Sequence, residues 1–220
     1  MVGGFGLGRG GRLGLRDRQW AGRSRSSGAL LKVIATDASE AQIQATQPHP
    51  KVRYRCAPAE APPIDDGSID LITVAQALHW FDVEAFYCEA HRVLRPNGVL
   101  AVWCYGSTTI SPEIDPLVRI FATETIGPCW PEDRRHIEAG YETLPFPYPQ
   151  MEVSSFEMTV EWNLNGFLSY LRTWSSVNRY MAAHTNDPVD ALEETLRPLW
   201  GPDARLVRWP LVLKVGCKAE

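Results

Sequence analysis

Asp-Leu-Ile-Thr-Val-Ala-Gln-Ala-Leu-His-Trp-Phe-Asp (70–82), followed at 92–106 by Arg-Val-Leu-Arg-Pro-Asn-Gly-Val-Leu-Ala-Val-Trp-Cys-Tyr-Gly, decides the fold of this chain. Ile69–Ala75 is apolar apart from Asp70 and Thr73, the pattern of a strand covered on both faces. Asp82 is placed to cap a helix running through Leu94, and Pro96-Asn97-Gly98 supplies the turn chemistry that stops it. Val99–Trp103 is the next apolar strand. Strand, helix and strand with short joints form a right-handed parallel unit. Ligands of such sheets sit beyond the carboxyl ends of the strands, here Ala75-Gln76-Ala77-Leu78-His79-Trp80 and Cys104-Tyr105-Gly106.

Outward from this unit the same alternation continues. An apolar strand over Leu30–Ala35 runs into Asp37, a helix is expected over Ala38–Thr46, and a short strand over Val52–Cys56. Asp65-Asp66-Gly67-Ser68 suits a turn better than a metal site, because two adjacent acids lack further ligands nearby. Downstream, Cys129–Arg135 and Gly140–Tyr148 form an irregular insert rich in aromatics, arginine and proline. Asn165–Met181 carries Phe167, Leu168, Leu171, Trp174 and Val177 at helical spacing, a stripe that reads as core. Pro188–Leu199 reads as another helix. Trp209–Val215 reads as a closing strand, with Pro210 suited to its start.

With 220 residues and 45% apolar content, the chain can bury one good core with a small cap. A net charge of −4 argues against a nucleic-acid footprint. Cys56, Cys88, Cys104, Cys129 and Cys217 form no C-x-x-C pair, so neither a disulfide framework nor a zinc site is expected, and scattered thiols suit a reducing, cytoplasmic setting. No run of about 18 apolar residues suggests a membrane span. The Arg- and Ser-rich start lacks the apolar centre of a secretory signal and superficially matches an organellar transit peptide.

Between Val33 and Gly106 the chain resembles the class I S-adenosylmethionine-dependent methyltransferases, in their type 11, trans-aconitate methyltransferase-like branch. Four segments carry the resemblance in order: Val-Ile-Ala-Thr-Asp-Ala-Ser (33–39), Ala57-Pro58-Ala59-Glu60-Ala61, Asp65–Ile72 and Arg92–Gly98. Each is weak alone; together, at family spacing, they are specific. The resemblance implies a Rossmann-like, seven-stranded, mostly parallel sheet with helices on both faces, a helical substrate cap, and S-adenosyl-L-methionine as cofactor.

It also implies roles for particular residues. Asp37 would accept the ribose hydroxyls; otherwise it caps the following helix, with Ser39 as the competing cap. Ala59 and Glu60 would line the adenine side, or form a plain proline-stiffened loop. Ala75 and Gln76 would let the methionine part of the cofactor pass close to the backbone. His79 is a weak general-base candidate, since its ordinary pKa lies near neutrality; Trp80 suits a pocket wall, and a packed His79–Trp80 pair is the alternative. Trp130, Arg134 and Tyr141 of the insert are candidates for holding a small, anionic acceptor, or for a cap packed on the sheet. No metal is required. Methyl transfer from a sulfonium to a carboxylate or thiolate needs alignment rather than a base.

The N-terminus departs from the family. Residues 3–28 are rich in Gly, Arg and Ser with no hydrophobic period, which reads as disorder. Gly4–Gly11 echoes G-x-G-x-x-G but follows no strand, so it does not read as a cofactor loop. With permitted codons, Arg12–Arg25 read one base forward gives Asp-Leu-Gly-Cys-Gly-Thr-Gly-Asn-Gly-Gln-Ala-Ala-Val, the family's acidic, glycine-rich first motif. Trp20, with its single codon, forces one of those glycines. The expectation is therefore that the first motif is missing or out of frame and the first strand lost.

The expected organisation is an aberrant or disordered segment over 1–29, a cofactor-binding Rossmann-like core over 30–106, a substrate cap and helices over 107–200, and a closing strand within 201–220. The expected function is methyl transfer from S-adenosylmethionine to a small-molecule acceptor, with a carboxylate as one acceptor class, and with neither nucleic acid nor membrane as partner. The alternatives are a non-catalytic truncated isoform or pseudoenzyme, and a nicotinamide-dependent oxidoreductase. The second is disfavoured because no Tyr-x-x-x-Lys constellation is present.

Overall fold

A computed structural model describes residues 2–3 and 32–220. The strands are β1 (Val2–Gly3), β2 (Val33–Asp37), β3 (Val52–Cys56), β4 (Ile69–Ala75), β5 (Leu94–Tyr105), β6 (Phe156–Trp162) and β7 (Arg205–Cys217). The α-helices are α1 (Glu40–Gln44), α2 (Val83–Val93), α3 (Asp115–Ile120), α4 (Arg134–Glu138), α5 (Leu164–Leu171), α6 (Ser175–Ala183) and α7 (Pro188–Trp200). The seven strands pair in the order β3-β2-β1-β4-β5-β7-β6. Parallel pairing joins β3, β2, β1, β4 and β5, and β6 runs antiparallel to β7.

One expectation about this sheet is corrected. The first strand is present: Val2 and Gly3 pair with Ala35 and Thr36 of β2, and Val2 also pairs with Thr73 of β4. Even two residues offer backbone donors and acceptors to both neighbours, whose inner edges would otherwise be open. The frame-shifted reading of Arg12–Arg25, the rejected loop Gly4–Gly11 and most of the aberrant 1–29 segment lie outside the described residues.

The described chain divides into two units. The first comprises residues 2–3, 32–103, 146–152 and 214–220; the second comprises 104–145 and 153–213.

In the first unit, β4 is buried along one side, with Ile72 and Val74 at 0–1% exposure, while Leu71 on the other side is 44% exposed. The expected two-sided covering is thus not completed by the described residues. Asp82 caps α2 as expected, its carboxylate accepting from the Ala85 N–H at 3.1 Å. The buried stripe of α2 is Phe86, Tyr87, Ala90 and Val93; fully burying a side chain such as Phe86 contributes about 1.5–3 kcal/mol. Strand β5 begins at Leu94, earlier than the expected Val99, so Pro96-Asn97-Gly98 bends the start of a strand instead of preceding one. Asn97 is left-handed (φ 61°), and a Cβ on Gly98 would lie 2.8 Å from the Arg95 carbonyl oxygen. The chain end holds this bend: Asn97 N–H donates to the Lys218 carbonyl at 3.1 Å, and Lys218 Nζ donates to the His91 and Leu94 carbonyls at 2.7 and 2.8 Å. Those are the free carbonyls at the end of α2, where a cation is favoured.

In the second unit, the expected single helix over 165–181 is two helices, α5 and α6, broken at Thr173-Trp174. Thr173 Oγ1 donates to the Tyr170 carbonyl at 2.7 Å, the side-chain competition that ends helices, and Trp174 is extended (ψ 136°). Phe167, Leu171, Val177, Leu196 and Trp200 are buried in one apolar cluster. Strand β6, absent from the sequence reading, pairs with β7 from Phe156 opposite Leu211 to Trp162 opposite Arg205. Pro210 lies within β7, opposite Glu157, rather than at its start. Asp187 caps α7 through the Val189 N–H at 2.9 Å and accepts from Arg172 Nε at 2.5 Å.

Candidate functional site

Parallel register brings the carboxyl ends of the first unit's strands together. Asp37 ends β2 opposite Cys56 of β3, and Ala75 ends β4 opposite Trp103 of β5. Strand β1 alone separates β2 from β4, so these two ends stand about 10 Å apart.

Asp37 is half-buried. Its Oδ1 accepts from the Ser39 N–H at 2.8 Å, and its Oδ2 has no hydrogen-bond partner among the described residues. Ser39, not Asp37, caps α1, accepting from the Gln42 N–H at 3.4 Å. The capping role weighed for Asp37 thus falls to Ser39. The Ala57 N–H donates to the Asp37 carbonyl at 3.0 Å, which ties the 57–64 loop to the end of β2. Ala59 and Glu60 are half-buried in that loop. Glu60 Oε1 accepts from the Asp82 N–H at 2.9 Å, so this side chain anchors the loop to the start of α2.

Gln76 follows β4 in the left-handed region (φ 53°). A bulky residue held there stores about 1–3 kcal/mol of strain and is found chiefly where function positions the backbone. Its N–H donates to the Trp103 carbonyl at 2.9 Å, which holds the strained turn against β5. Ala75 is only 3% exposed. His79 and Trp80 form one turn of tight helix, rings 5.4 Å apart; His79 is half-buried and Trp80 is 67% exposed. Trp80 thus has free ring surface to offer.

The second unit contains a cavity of about 300 Å³ lined by Ser107, Thr108, Pro112, Asp115, Pro116, Val118, Arg119, Ala122, Arg134 and Trp174. Arg134 lies at its wall, with its guanidinium 3.6 Å from the centre of the Trp130 ring and Nε 3.2 Å from Glu138 Oε1. Burial draws the Arg134 guanidinium below its usual pKa, opposed by the Glu138 carboxylate. The Trp130 indole is fixed by donating to the Ala122 carbonyl at 2.9 Å and lies 5.4 Å from the Trp174 ring. Tyr170 stands behind Trp174, rings 5.7 Å apart and edge-on, and accepts from Trp209 Nε1 at 3.0 Å. Burial pushes the Tyr170 phenol well above its usual pKa.

Of the three insert residues singled out in the sequence, Arg134 lines this cavity and Trp130 supports it. Tyr141 is 1% exposed, left-handed (φ 60°) and outside the cavity lining; its N–H donates to the His136 carbonyl at 2.7 Å, so it closes a turn. Sequence reasoning missed Thr108, Arg119 and Trp174. Trp174 was hidden in an apparently continuous helical stripe, and Thr108 in an unremarkable Ser-Thr-Thr run. Among the described residues no group of three His, Cys, Asp or Glu side chains is arranged to hold a metal, and no helix is long and apolar enough to cross a membrane.

Comparison with known proteins follows the same lines. The profile of the methyltransferase domain family matches residues 17–102. A solved structure described as a type II methyltransferase from Anaeromyxobacter dehalogenans is 38% identical, superposes with a TM-score of 0.80, and is matched over 86% of this chain and 82% of that one. A Dictyostelium discoideum protein named as a methyltransferase is 33% identical over 168 residues, 75% of this chain and 64% of its own length. A Saccharomyces cerevisiae protein named as an S-adenosylmethionine-dependent methyltransferase is 30% identical over 88 residues, 40% of this chain and 27% of its own. The chain therefore spans just under two thirds of the length of the Dictyostelium relative.

Proposed function

The chain belongs to the class I S-adenosylmethionine-dependent methyltransferases, and on that premise we propose that it transfers a methyl group from S-adenosylmethionine to a small-molecule acceptor bearing a carboxylate. The observation that carries the reading is the half-buried Asp37, whose Oδ2 lacks a partner among the described residues, at the same sheet end as the small Ala75 and the left-handed Gln76. A carboxylate there suits a pair of ribose hydroxyls. A small side chain and a turned-out backbone suit close passage of an amino-acid tail. Ala59 and Glu60 take the adenine side. Glu60 does so as a positioning residue, since one of its oxygens holds the α2 N-terminus.

Bound S-adenosylmethionine would supply an electrophilic methyl group: the acceptor oxygen forms the new carbon–oxygen bond, the carbon–sulfur electron pair stays on sulfur, and S-adenosylhomocysteine and a neutral ester result. With an anionic acceptor no proton has to move, so the protein's work is binding, orientation and exclusion of water. His79 is then not needed as a base, and Trp80 contributes ring surface beside the strand ends. No disulfide joins the five cysteines among the described residues, which suits action in the cytoplasm, with small molecules rather than nucleic acid or membrane as partners.

Two measurements test this reading. Titration of S-adenosylhomocysteine should give saturable binding, and methyl-labelled S-adenosylmethionine should transfer label to an organic-acid pool as base-labile ester. Binding without any transfer across the pool would favour a non-catalytic role, and failure to bind would remove the cofactor assignment.

A further inference from the structure

The cavity in the second unit has a lining that a purely apolar ligand would waste. Arg134 is enclosed there with its side chain only 18% exposed. Its single polar contact uses Nε, directed at Glu138, and its two Nη nitrogens have no hydrogen-bond partner among the described residues. A guanidinium drawn this far out of water is costly unless its fork of donors is used, and its geometry matches a carboxylate held by two parallel bonds. Thr108 lines the same cavity at 6% exposure, and its buried hydroxyl has no hydrogen-bond partner among the described residues. A buried hydroxyl left unpaired is a debt that a bound acceptor group removes.

The charges facing the cavity favour an anion. Arg119 adds a second cation, with no carboxylate in ion-pair contact among the described residues. Asp115 is the one acid of the lining, and its Oδ1 is already engaged by the Ile110 and Ser111 N–H groups at 2.7 and 3.2 Å. The rest of the wall is apolar or aromatic: Pro112, Pro116, Val118, Ala122 and the Trp174 ring. An anionic head with an apolar or flat body is the ligand chemistry that uses every part of this lining.

We infer that this cavity is a subsite for a small organic acid, with its carboxylate held by the Arg134 Nη pair and the Thr108 hydroxyl and its apolar body against Trp174. This deepens the acceptor reading above and rests on it for the purpose the subsite serves. Anion selectivity itself stands on the second unit alone. In this arrangement Thr108 and Arg134 determine specificity, and Trp130 positions Arg134 through ring contact.

The test uses the full chain with phenylacetate as probe and phenylacetamide as its neutral counterpart, titrated calorimetrically. Phenylacetate should bind at least about tenfold more tightly than the amide, since charge-assisted bonds are roughly twice as strong as neutral ones. Arg134→Lys keeps the charge but not the fork, and should lose about tenfold for the acid with little change for the amide. Thr108→Val should lose a smaller factor. Thermal unfolding of each variant, together with unchanged S-adenosylhomocysteine binding, shows that the fold is intact. Equal affinity for acid and amide, wild-type affinity in Arg134→Lys, or no binding of either probe would overturn the inference. Failure of S-adenosylhomocysteine to bind beside selective acid binding would sink the cofactor reading and leave this one standing.

Discussion

Asp37 and Gln76 in the first unit, and Arg134 and Thr108 in the second, are positioned by different means. The first pair stand at the ends of parallel strands, where register and backbone angles place them: Asp37 opposite Cys56, and Gln76 turned left-handed against the Trp103 carbonyl. In the second pair, Arg134 is placed by side-chain packing, against the first of a chain of rings from Trp130 to Trp174 to Tyr170 to Trp209, while Thr108 precedes Thr109, which exchanges two backbone hydrogen bonds of 2.9 Å with Arg208. A site built on backbone is robust to most substitutions around it and sensitive to the site residue itself. A site built on stacked rings depends on residues well behind it.

The largest effects should come from the two cores. Phe86 and Phe167 are each fully buried, and truncation to alanine should cost about 3–5 kcal/mol. Chemical denaturation would measure this; a loss under about 1 kcal/mol at either site would contradict the packing described. The contrast lies in binding at low denaturant. Phe167→Ala stands in ring contact with Tyr170, at 6.3 Å, and should weaken phenylacetate more than S-adenosylhomocysteine; Phe86→Ala should do the reverse.

Next in size is Asp37→Ala, which should raise the S-adenosylhomocysteine dissociation constant by about 10–100-fold, the worth of one or two hydrogen bonds to a charged group. Phenylacetate affinity should not change. Equal loss of both ligands would show that the two sites are not separable in this way.

Alkaline pH should sharpen the comparison through the buried phenols. Burial raises the pKa of Tyr105 and Tyr170 in the second unit and of Tyr87 in the first. A group whose folded pKa is raised gives stability that is fully present below its unfolded value, near 10, and is lost as pH climbs above it, because the unfolded chain releases the proton first. Each phenol should contribute a decline of about 1.4 kcal/mol per pH unit there. Tyr170→Phe should flatten that limb by one such increment; an unchanged slope would mean the phenol ionises in place.

Smallest is Gln76→Gly. Glycine adopts a positive φ without steric cost, so the folded state should gain up to about 1 kcal/mol, less the added freedom of the unfolded chain. Cofactor affinity should fall as the turn loosens. Greater stability together with tighter binding would show that the left-handed turn plays no part in the site.

Much of the first unit was legible because its signals are local. Strand β4, the Asp82 cap and the end of β2 at Asp37 follow from period, capping chemistry and chain order, and the family resemblance rested on the same residues. The boundary at Leu94 was not legible, because the bend at Asn97-Gly98 is held by Lys218, more than a hundred positions away. Strand β6 was missed because its burial alternates weakly and its partner lies far along the chain. The loss of the first strand was expected because residues 3–28 carry no hydrophobic period and the first motif is missing or out of frame, yet Val2 and Gly3 need only backbone to pair.

By itself, the sequence determined the parallel α/β class, the residues at the carboxyl ends of β2 and β4, and the kinship with methyltransferases. These depend on residue spacing and on backbone chemistry that acts over a few positions. Tertiary structure alone decided that Trp174 breaks a helix to wall a cavity, that Thr108 is buried without a hydrogen-bond partner among the described residues, and that Gln76 is left-handed. Such properties depend on which distant atoms surround a side chain or compel a backbone angle, and neighbours in sequence do not specify them.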